Sequence, residues 1–103
     1  MIAVVFTRGP AWDAERPIVE QAGLDGHLAW VRRHRDEAGP IIQAGPFHDP
    51  ATRIDDDLVG LCLLDLESLD EARELVEQDP VVRTGAYGYR LYPWGGKSLR
   101  RSD

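Results

Sequence analysis

The sequence has few cysteines, few aromatic residues and no excess of positive charge. Its 103 residues include one cysteine, Cys62, and 8% aromatic residues, and they carry a formal net charge of -6. A single cysteine cannot form an internal disulfide bond, and its neighbours Leu61, Leu63 and Leu64 predict a buried thiol rather than a nucleophile or a metal ligand. The negative charge argues against nucleic acid and against an anionic membrane as partners.

Long hydrophobic runs are also missing. No segment approaches the roughly 20 apolar residues that cross a bilayer, and the first residues lack the basic start, the apolar stretch and the cleavage site of a secretory signal. We therefore expect a cytoplasmic protein. The length and the hydrophobic content of 43% predict one domain over residues 1–96. Residues 97–103 are expected to form a short, flexible, basic tail.

Hydrophobic patterns along the chain predict the element order β-α-β-β-α-β. The predicted strands are Ile2–Phe6, Ile41–Ala44, Val59–Leu66 and Tyr87–Tyr92, and the predicted helical regions are Asp25–Ala38 and Leu69–Gly85. This order is that of ferredoxin-like α+β domains, in which two helices cover one face of a four-stranded antiparallel sheet. Because the first and third strands are apolar throughout, we expect the other face to be covered by a second copy, giving a homodimer.

The first predicted helix carries a histidine, His27, in its first turn. Asp25 is expected to be the N-cap residue and Gly39 the C′ residue. The predicted buried face consists of Leu24, Leu28, Val31 and Ala38. An imidazole at a helix N-terminus is biased toward its neutral form, which suits a general base. The alternative is a half-buried histidine at the edge of the apolar face.

The second helical region ends on a carboxylate at an apolar position. The apolar stripe that leads to it consists of Leu69, Ala72 and Val76. The next position on this stripe is Asp79, where the helix dipole opposes negative charge. This favours a functional role, an N-cap role for the turn that starts at Pro80, or both. Because both helices cover the same face of the sheet, Asp79 can approach His27 and orient its imidazole for proton transfer.

Residues 47–57 form a long polar segment that is typical of a binding loop or lid. His48 and Asp49 are metal-binding residue types, but no third ligand accompanies them at metal-site spacing, which favours a solvated turn. The acidic run of residues 55–57 is interpreted as a solvated charge run that protects a sheet edge. The sequence also lacks a phosphate loop and a serine elbow. We therefore predict neither a metal nor an organic cofactor.

Four parts of the chain resemble the YciI-like (YCII-related) family. They are the short hydrophobic first strand, His27-Leu28, Ala44-Gly45-Pro46, and Asp79-Pro80 followed by Gly85 and Tyr87. The resemblance spans nearly the whole chain and implies a dimeric α+β barrel, similar in fold to muconolactone isomerase. It also implies that His27 and Asp79 are the catalytic pair, with Gly45 and Pro46 shaping the pocket beside them. The chemistry associated with the family is cofactor-free dehydrochlorination of a hydroxylated aromatic ring.

The function expected from these residues is that of a small cofactor-independent lyase or isomerase. Its substrate would be a small polar or aromatic metabolite, and Phe47, Trp94 or a tyrosine of the last strand is expected to supply an apolar wall of the pocket. The alternative is a non-catalytic dimeric module that binds a small ligand or regulates a partner. Similarity of fold alone adds a third hypothesis, a cofactor-free oxygenase.

Overall fold

The structure is a computed structural model that describes residues 1–36, 38–53 and 56–95. Its elements are β1 (Ile2–Arg8), a 3₁₀ turn (Ile18–Glu20), α1 (Leu24–Asp36), β2 (Ile41–Pro46), β3 (Leu58–Leu64), α2 (Leu69–Glu77), α3 (Pro80–Arg83) and β4 (Tyr87–Pro93). The predicted second helical region is thus two helices. Strands β1, β2 and β4 extend beyond their predicted ends, and β3 lies one residue earlier at its start and two at its end.

The four strands form one antiparallel sheet in the order β2-β3-β1-β4. The two strands with long apolar runs, β1 and β3, occupy the centre, where Val4 lies opposite Cys62 on one side and opposite Leu91 on the other. This is the sheet of a ferredoxin-like domain, so the predicted α+β fold class is confirmed.

One face of the sheet packs against the helices and forms the core. Along β1, Val4 and Phe6 are buried on this face, while Val5, which points to the other face, is only half-buried. Cys62 is fully buried on the helix side, as its apolar neighbours predict. The alternation of burial therefore separates a closed face from an open one.

The buried face of α1 differs from the predicted one. Leu24 is buried, but Leu28 is 48% exposed, Ala38 is exposed, and the main buried side chain of the helix is Trp30. Relative to the predicted orientation, the helix is rotated about its axis so that His27 and Trp30 face the core and α3. This rotation leaves Leu28 beside the cavity described below.

Both ends of α1 also differ from prediction. The helix begins at Leu24, so Asp25 lies in its first turn rather than at the N-cap. At the other end, Ala38 has the left-handed φ of 56° that was predicted for Gly39. Gly39 instead lies against the last turn, where an added Cβ would overlap the carbonyl oxygen of His34. Glycine is needed there for close backbone approach rather than for a positive φ.

The start of α2 is capped by a serine. The hydroxyl of Ser68, at the N-cap, accepts a hydrogen bond of 3.2 Å from the backbone N–H of Glu71. Ala72 and Val76 are fully buried, as their stripe predicts, but Leu69 is 38% exposed. Leu69 is at the first position of the helix, where it reaches past the edge of the sheet rather than into the core.

The loops that follow β1 and β2 pack against each other. The backbone N–H of Val19 donates to the carbonyl oxygen of Pro50 at 3.1 Å, and the guanidinium of Arg53 lies 3.1 Å from the carboxylate of Glu15. The two loops therefore form one continuous wall at the end of the sheet where β2 finishes.

Two predicted segments lie wholly or partly outside the described residues. The basic tail, residues 97–103, is one, and Asp55 of the acidic run is the other. In the described part of the run, the carboxylate of Asp57 lies 3.0 Å from the guanidinium of Arg8. Within the described residues, no helix is both long enough and apolar enough to cross a bilayer.

Candidate active site

His27 and Asp79 are in direct contact although 52 positions separate them in the sequence. Nδ1 of the imidazole lies 2.6 Å from Oδ2 of the carboxylate. The side chain of His27 is 12% exposed and that of Asp79 is fully buried. A short hydrogen bond shielded from water in this way is stronger than one at the surface.

The two oxygens of Asp79 have separate partners. Oδ2 contacts His27, while Oδ1 accepts a hydrogen bond of 3.1 Å from the backbone N–H of Val81. Asp79 is the N-cap of α3, and Pro80 follows at the first helical position. The cap holds the carboxylate in one orientation, so the predicted N-cap role of Asp79 is confirmed and is compatible with its contact to His27.

Two glycines allow α1 to approach α3 closely enough for this contact. Gly23 precedes α1 with a left-handed φ of 89°, and a Cβ there would come within 2.8 Å of the carbonyl oxygen of Pro80. A Cβ on Gly26, one residue before His27, would come within 2.7 Å of the ring of Pro80. The hydroxyl of Thr84 also donates to the carbonyl oxygen of Ala22 at 2.8 Å, which joins the same two segments.

Aromatic rings enclose the imidazole. Trp30 stacks on it at a centroid distance of 6.0 Å, and Phe6 and Tyr87 meet it edge-on, each at 5.5 Å. These rings exclude water from the contact with Asp79. Because Nδ1 faces the carboxylate, Nε2 is the ring nitrogen that remains for a ligand.

The imidazole borders a cavity of about 250 Å³ between α1 and the β2 edge of the sheet. Its walls come from the 3₁₀ turn, α1, the ends of β2 and β3, and Pro50 of the loop after β2. Nearly all of the lining side chains are apolar, as is usual for small-molecule sites. A cavity of about 150 Å³ holds benzene in another protein, so this one has room for a substituted ring.

A known protein family covers most of the chain. The sequence pattern of the YCII-related domain family matches residues 7–95. The chain belongs to the YCII-related family. The resemblance seen in the sequence is thereby confirmed.

One solved structure shares the YCII-related fold seen here. It is 5-chloro-2-hydroxyhydroquinone dehydrochlorinase from Burkholderia phenoliruptrix, in complex with 2,5-dihydroxybenzoquinone. The alignment covers 94% of this chain and 96% of the other, with a TM-score of 0.61 and 21% sequence identity. At that identity the likeness shows the fold alone. No curated protein matches the chain.

The predicted pocket residues of this YCII-related chain fall into two groups. Gly45 and Pro46, at the end of β2, line the cavity together with His27. Phe47 does not line it; its side chain is exposed and borders a separate shallow hollow on the open side of the sheet. Trp94, just after β4, is exposed and lines neither. The structure therefore brings Gly45 and Pro46 to the histidine and leaves the other two apart.

Sequence reasoning missed two glycines and one tryptophan that build the site. The glycines before His27 gave a signal, because Gly23 and Gly26 are spaced so that both face the same neighbour across one helical turn. Trp30, three residues after His27, lies on the same row of the helix, and that spacing also predicts contact. Tyr87 belongs to the family resemblance and to the last strand, whose tyrosines were candidates for the pocket wall, and the pairing of β4 with β1 brings it to the cavity.

Asp79 acts electrostatically on two neighbouring acids. Burial raises the pKa of the Cys62 thiol to about 12, and the negative charge of Asp79 adds to this shift. The same two causes, in the same order, raise the pKa of the Tyr87 phenol. Both groups are therefore neutral at physiological pH.

The second histidine that sequence analysis considered lies elsewhere. Nε2 of His48 is 3.5 Å from Oδ2 of Asp56, and Asp49 instead accepts a hydrogen bond from the backbone N–H of Ala51 within a turn. Among the residues that the structure describes, no three side chains of metal-binding type lie together.

Proposed function

We propose that this protein is a small cofactor-independent enzyme that transfers a proton on a small polar or aromatic molecule bound in the cavity. His27 is the general base or acid, and Asp79 orients it. The observation that carries this proposal is the 2.6 Å contact between a fully buried carboxylate and an imidazole that lines an apolar cavity. Gly45 and Pro46 form the wall beside the reacting group.

The geometry supports base chemistry at Nε2. A carboxylate at Nδ1 favours the tautomer whose proton is on Nδ1, which leaves a lone pair on Nε2. When Nε2 takes a proton, the imidazolium is stabilised by Asp79, as in other pairs of this kind. If the proton returns to another carbon of the substrate, the reaction is an isomerisation. If removal of the proton expels a leaving group, the reaction is an elimination.

The solved structure of the dehydrochlorinase supports the elimination branch of this proposal. A dehydrochlorinase removes a proton and a chloride from its substrate, and that enzyme was solved with a dihydroxybenzoquinone. The cavity of the present protein has room for a ring of that kind. A lyase or isomerase acting on a small ring compound is therefore the reaction class that fits best.

We also propose that the protein acts as a homodimer joined through the open face of the sheet. Val5, Leu61 and Leu63 lie together on that face and are only half-buried. Contact with a second copy would remove this apolar surface from water. Size-exclusion chromatography with light scattering should show a dimer for the native chain and a monomer for Leu63→Arg, while Leu69→Arg, on the exposed side of α2, should remain dimeric.

The catalytic proposal is tested by screening and then by turnover. Thermal-shift screening of small ring compounds identifies ligands, because binding to the folded state raises Tm. Turnover of each ligand is then measured for the native protein, His27→Gln and His48→Gln. We expect His27→Gln to lower the rate about 10²- to 10⁴-fold and His48→Gln to leave it unchanged.

The same measurements identify the alternative function. A dimeric binding or regulatory module would show ligands in the thermal-shift screen, but none of them would be converted. Equal rates for the native protein and His27→Gln would contradict the catalytic role of His27.

A further inference from the structure

The cavity lining contains a second polar side chain besides His27. Of the described residues that line the cavity, only His27 and Tyr87 carry polar side-chain atoms. Their rings meet edge-on at 5.5 Å. A base and a phenol thus share one small apolar space, which is the arrangement of convergent polar groups expected in a binding site.

Tyr87 is held rigidly in this position. It is the first residue of β4 and only 5% exposed. Phe6 packs against its ring at 5.3 Å and Trp12, from the loop after β1, at 6.2 Å. The loop tryptophan therefore anchors its loop on Tyr87, and these contacts leave the ring of Tyr87 little freedom to move.

The hydroxyl of Tyr87 has no protein partner. Within the described residues it makes no hydrogen bond, in contrast to the hydroxyl of Tyr89, two residues further along β4, which donates to Glu77 at 2.8 Å. Nε1 of Trp12 and Nε1 of Trp30 are fully buried without a partner, whereas the Tyr87 hydroxyl is not fully buried. Burial and the charge of Asp79 keep the phenol neutral by raising its pKa. A neutral phenol beside a cavity is available as a hydrogen-bond donor.

We propose that the Tyr87 hydroxyl donates a hydrogen bond to a carbonyl or quinone oxygen of the substrate. At the same time His27 removes a proton from the carbon next to that carbonyl group. This inference rests on the proposed function and names its second catalytic residue. It also defines the substrate class as a small uncharged ring compound that carries a carbonyl or quinone oxygen beside an acidic C–H.

The chemical step balances with these two groups. The C–H bond breaks, its proton goes to Nε2 of His27, and its electron pair forms a carbon–carbon double bond as the carbonyl becomes an enolate. The negative charge develops on the oxygen that Tyr87 binds. A donor placed at such an oxygen stabilises the transition state more than the ground state. Return of the proton to another carbon, or loss of a leaving group, completes the reaction.

The rest of the lining explains why the substrate is uncharged. No lysine or arginine lines the cavity within the described residues. A carboxylate or phosphate on the substrate would lose its hydration without gaining a cationic partner, which is costly in an apolar space. The carboxylate of Asp79, behind the imidazole, adds to this cost.

The probe for Tyr87 is 4-nitrophenol, whose absorbance distinguishes its neutral and ionised forms. In the cavity its hydroxyl proton passes to Nε2 of His27, and the resulting oxyanion accepts from Tyr87, so the bound probe imitates the enolate. Affinity and the pKa of the bound probe are measured for the native protein, Tyr87→Phe and Tyr89→Phe. Tyr89→Phe is a matched control, since it is the same change on the same strand outside the cavity.

We expect Tyr87→Phe to weaken binding of 4-nitrophenol at least 10-fold and to raise the pKa of the bound probe, because a hydrogen bond to an oxyanion is lost. Tyr89→Phe should stay within twofold of the native protein. The inference is overturned if Tyr87→Phe also stays within twofold, or if the native protein does not bind the probe at millimolar concentration.

A separate measurement keeps this inference distinct from the proposed function. Exchange of the α-protons of cyclohexanone in D₂O, followed by NMR, reports proton transfer by His27. Unchanged exchange in His27→Gln would overturn the proposed function even if Tyr87 binds the oxyanion of 4-nitrophenol. Loss of exchange in His27→Gln, with unaltered probe binding in Tyr87→Phe, would overturn only the role of Tyr87.

Discussion

Two His–Asp pairs in the part of the chain that the structure describes differ in almost every respect except residue type. His27 and Asp79 are 2.6 Å apart, with side chains 12% and 0% exposed. His48 and Asp56 are 3.5 Å apart, with side chains 34% and 46% exposed. The first pair joins two helices across the core, and the second lies within one loop. Only the first borders the apolar cavity.

The difference shows that the surrounding backbone, more than the two side chains, determines whether such a pair is close and shielded from water. Asp79 is fixed by the N–H of Val81 at the start of α3, and α1 is brought to it by Gly26. Asp56 also accepts from a backbone N–H, that of Leu58 at 2.6 Å, but water surrounds it. Water weakens any electrostatic effect of Asp56 on its histidine.

The largest expected effect on stability comes from removing the buried carboxylate. Asp79→Ala removes both the cap of α3 and the partner of His27, and we expect the free energy of unfolding in urea to fall by about 3–5 kcal/mol. Asp79→Asn should cost less, because asparagine is also a good N-cap residue. Asp56→Asn is the control for the exposed pair and should leave stability within about 0.5 kcal/mol. A loss below about 1 kcal/mol for Asp79→Ala would show that the two pairs are energetically alike.

The buried pair could be predicted from sequence only in part. Continuous apolar runs predicted the first and third strands, alternation predicted the last, and the carboxylate of Asp79 at an apolar position marked it as unusual. The ferredoxin-like order placed both helices on one face, which made contact with His27 possible. The rotation of α1 could not be predicted, because Leu28 is as apolar as Trp30 and only the cavity explains why Leu28 remains exposed.

The cavity itself was the least predictable feature. Gly45, Pro46 and Tyr87 entered through the family resemblance, but that Tyr87 is the tyrosine of the last strand that lines the cavity follows from the register in which β4 pairs with β1, which no local pattern encodes. Phe47 and Trp94 are apolar residues near predicted strand ends, but the side chains of such residues can turn to either face of a sheet.

A second test of the comparison changes the backbone contact that brings α1 to α3. Gly26→Ala would stabilise an isolated helix by about 1 kcal/mol. In this protein we expect it to destabilise by about 1–2 kcal/mol, since its Cβ would meet the ring of Pro80 at 2.7 Å. The control is Gly45→Ala, whose Cβ would meet no atom within 4 Å. Urea unfolding decides the sign, and a more stable Gly26→Ala variant would show that close approach of the helices is not required.

Alkaline pH tests whether the charge of Asp79 acts within the core. Cys62 and Tyr87 are neutral when protonated, and their pKa values in the folded protein lie above the ordinary values of about 8.5 and 10. The folded state therefore holds these protons longer than the unfolded state. Stability should be complete at pH 8 and fall above about pH 9, with a slope of up to about 1.4 kcal/mol per pH unit for each group.

The slope is measured by urea unfolding at several pH values between 8 and 11. Cys62→Ala should reduce the slope by the contribution of one proton. Asp79→Asn should reduce the slope because it removes the negative charge that helps to raise the pKa of both acids. Asp56→Asn should not alter it, because neither acid is shifted by Asp56. An equal slope in Asp79→Asn and the native protein would place the whole shift on burial.

The smallest expected effect belongs to the exposed pair and completes the comparison. A double-mutant cycle with His48→Gln and Asp56→Asn should give a coupling energy below about 0.5 kcal/mol, since exposed ion pairs contribute little and 3.5 Å is too long for a strong hydrogen bond. Asparagine preserves the oxygen that accepts from Leu58, so the cycle reports the pair rather than the turn. The same cycle with His27→Gln and Asp79→Asn should give at least about 1.5 kcal/mol, as expected for a hydrogen bond to a buried charge. Similar coupling energies for the two pairs would mean that burial and the cap on α3 add nothing to the His27–Asp79 interaction, and the case for His27 as the base would then rest on the cavity alone.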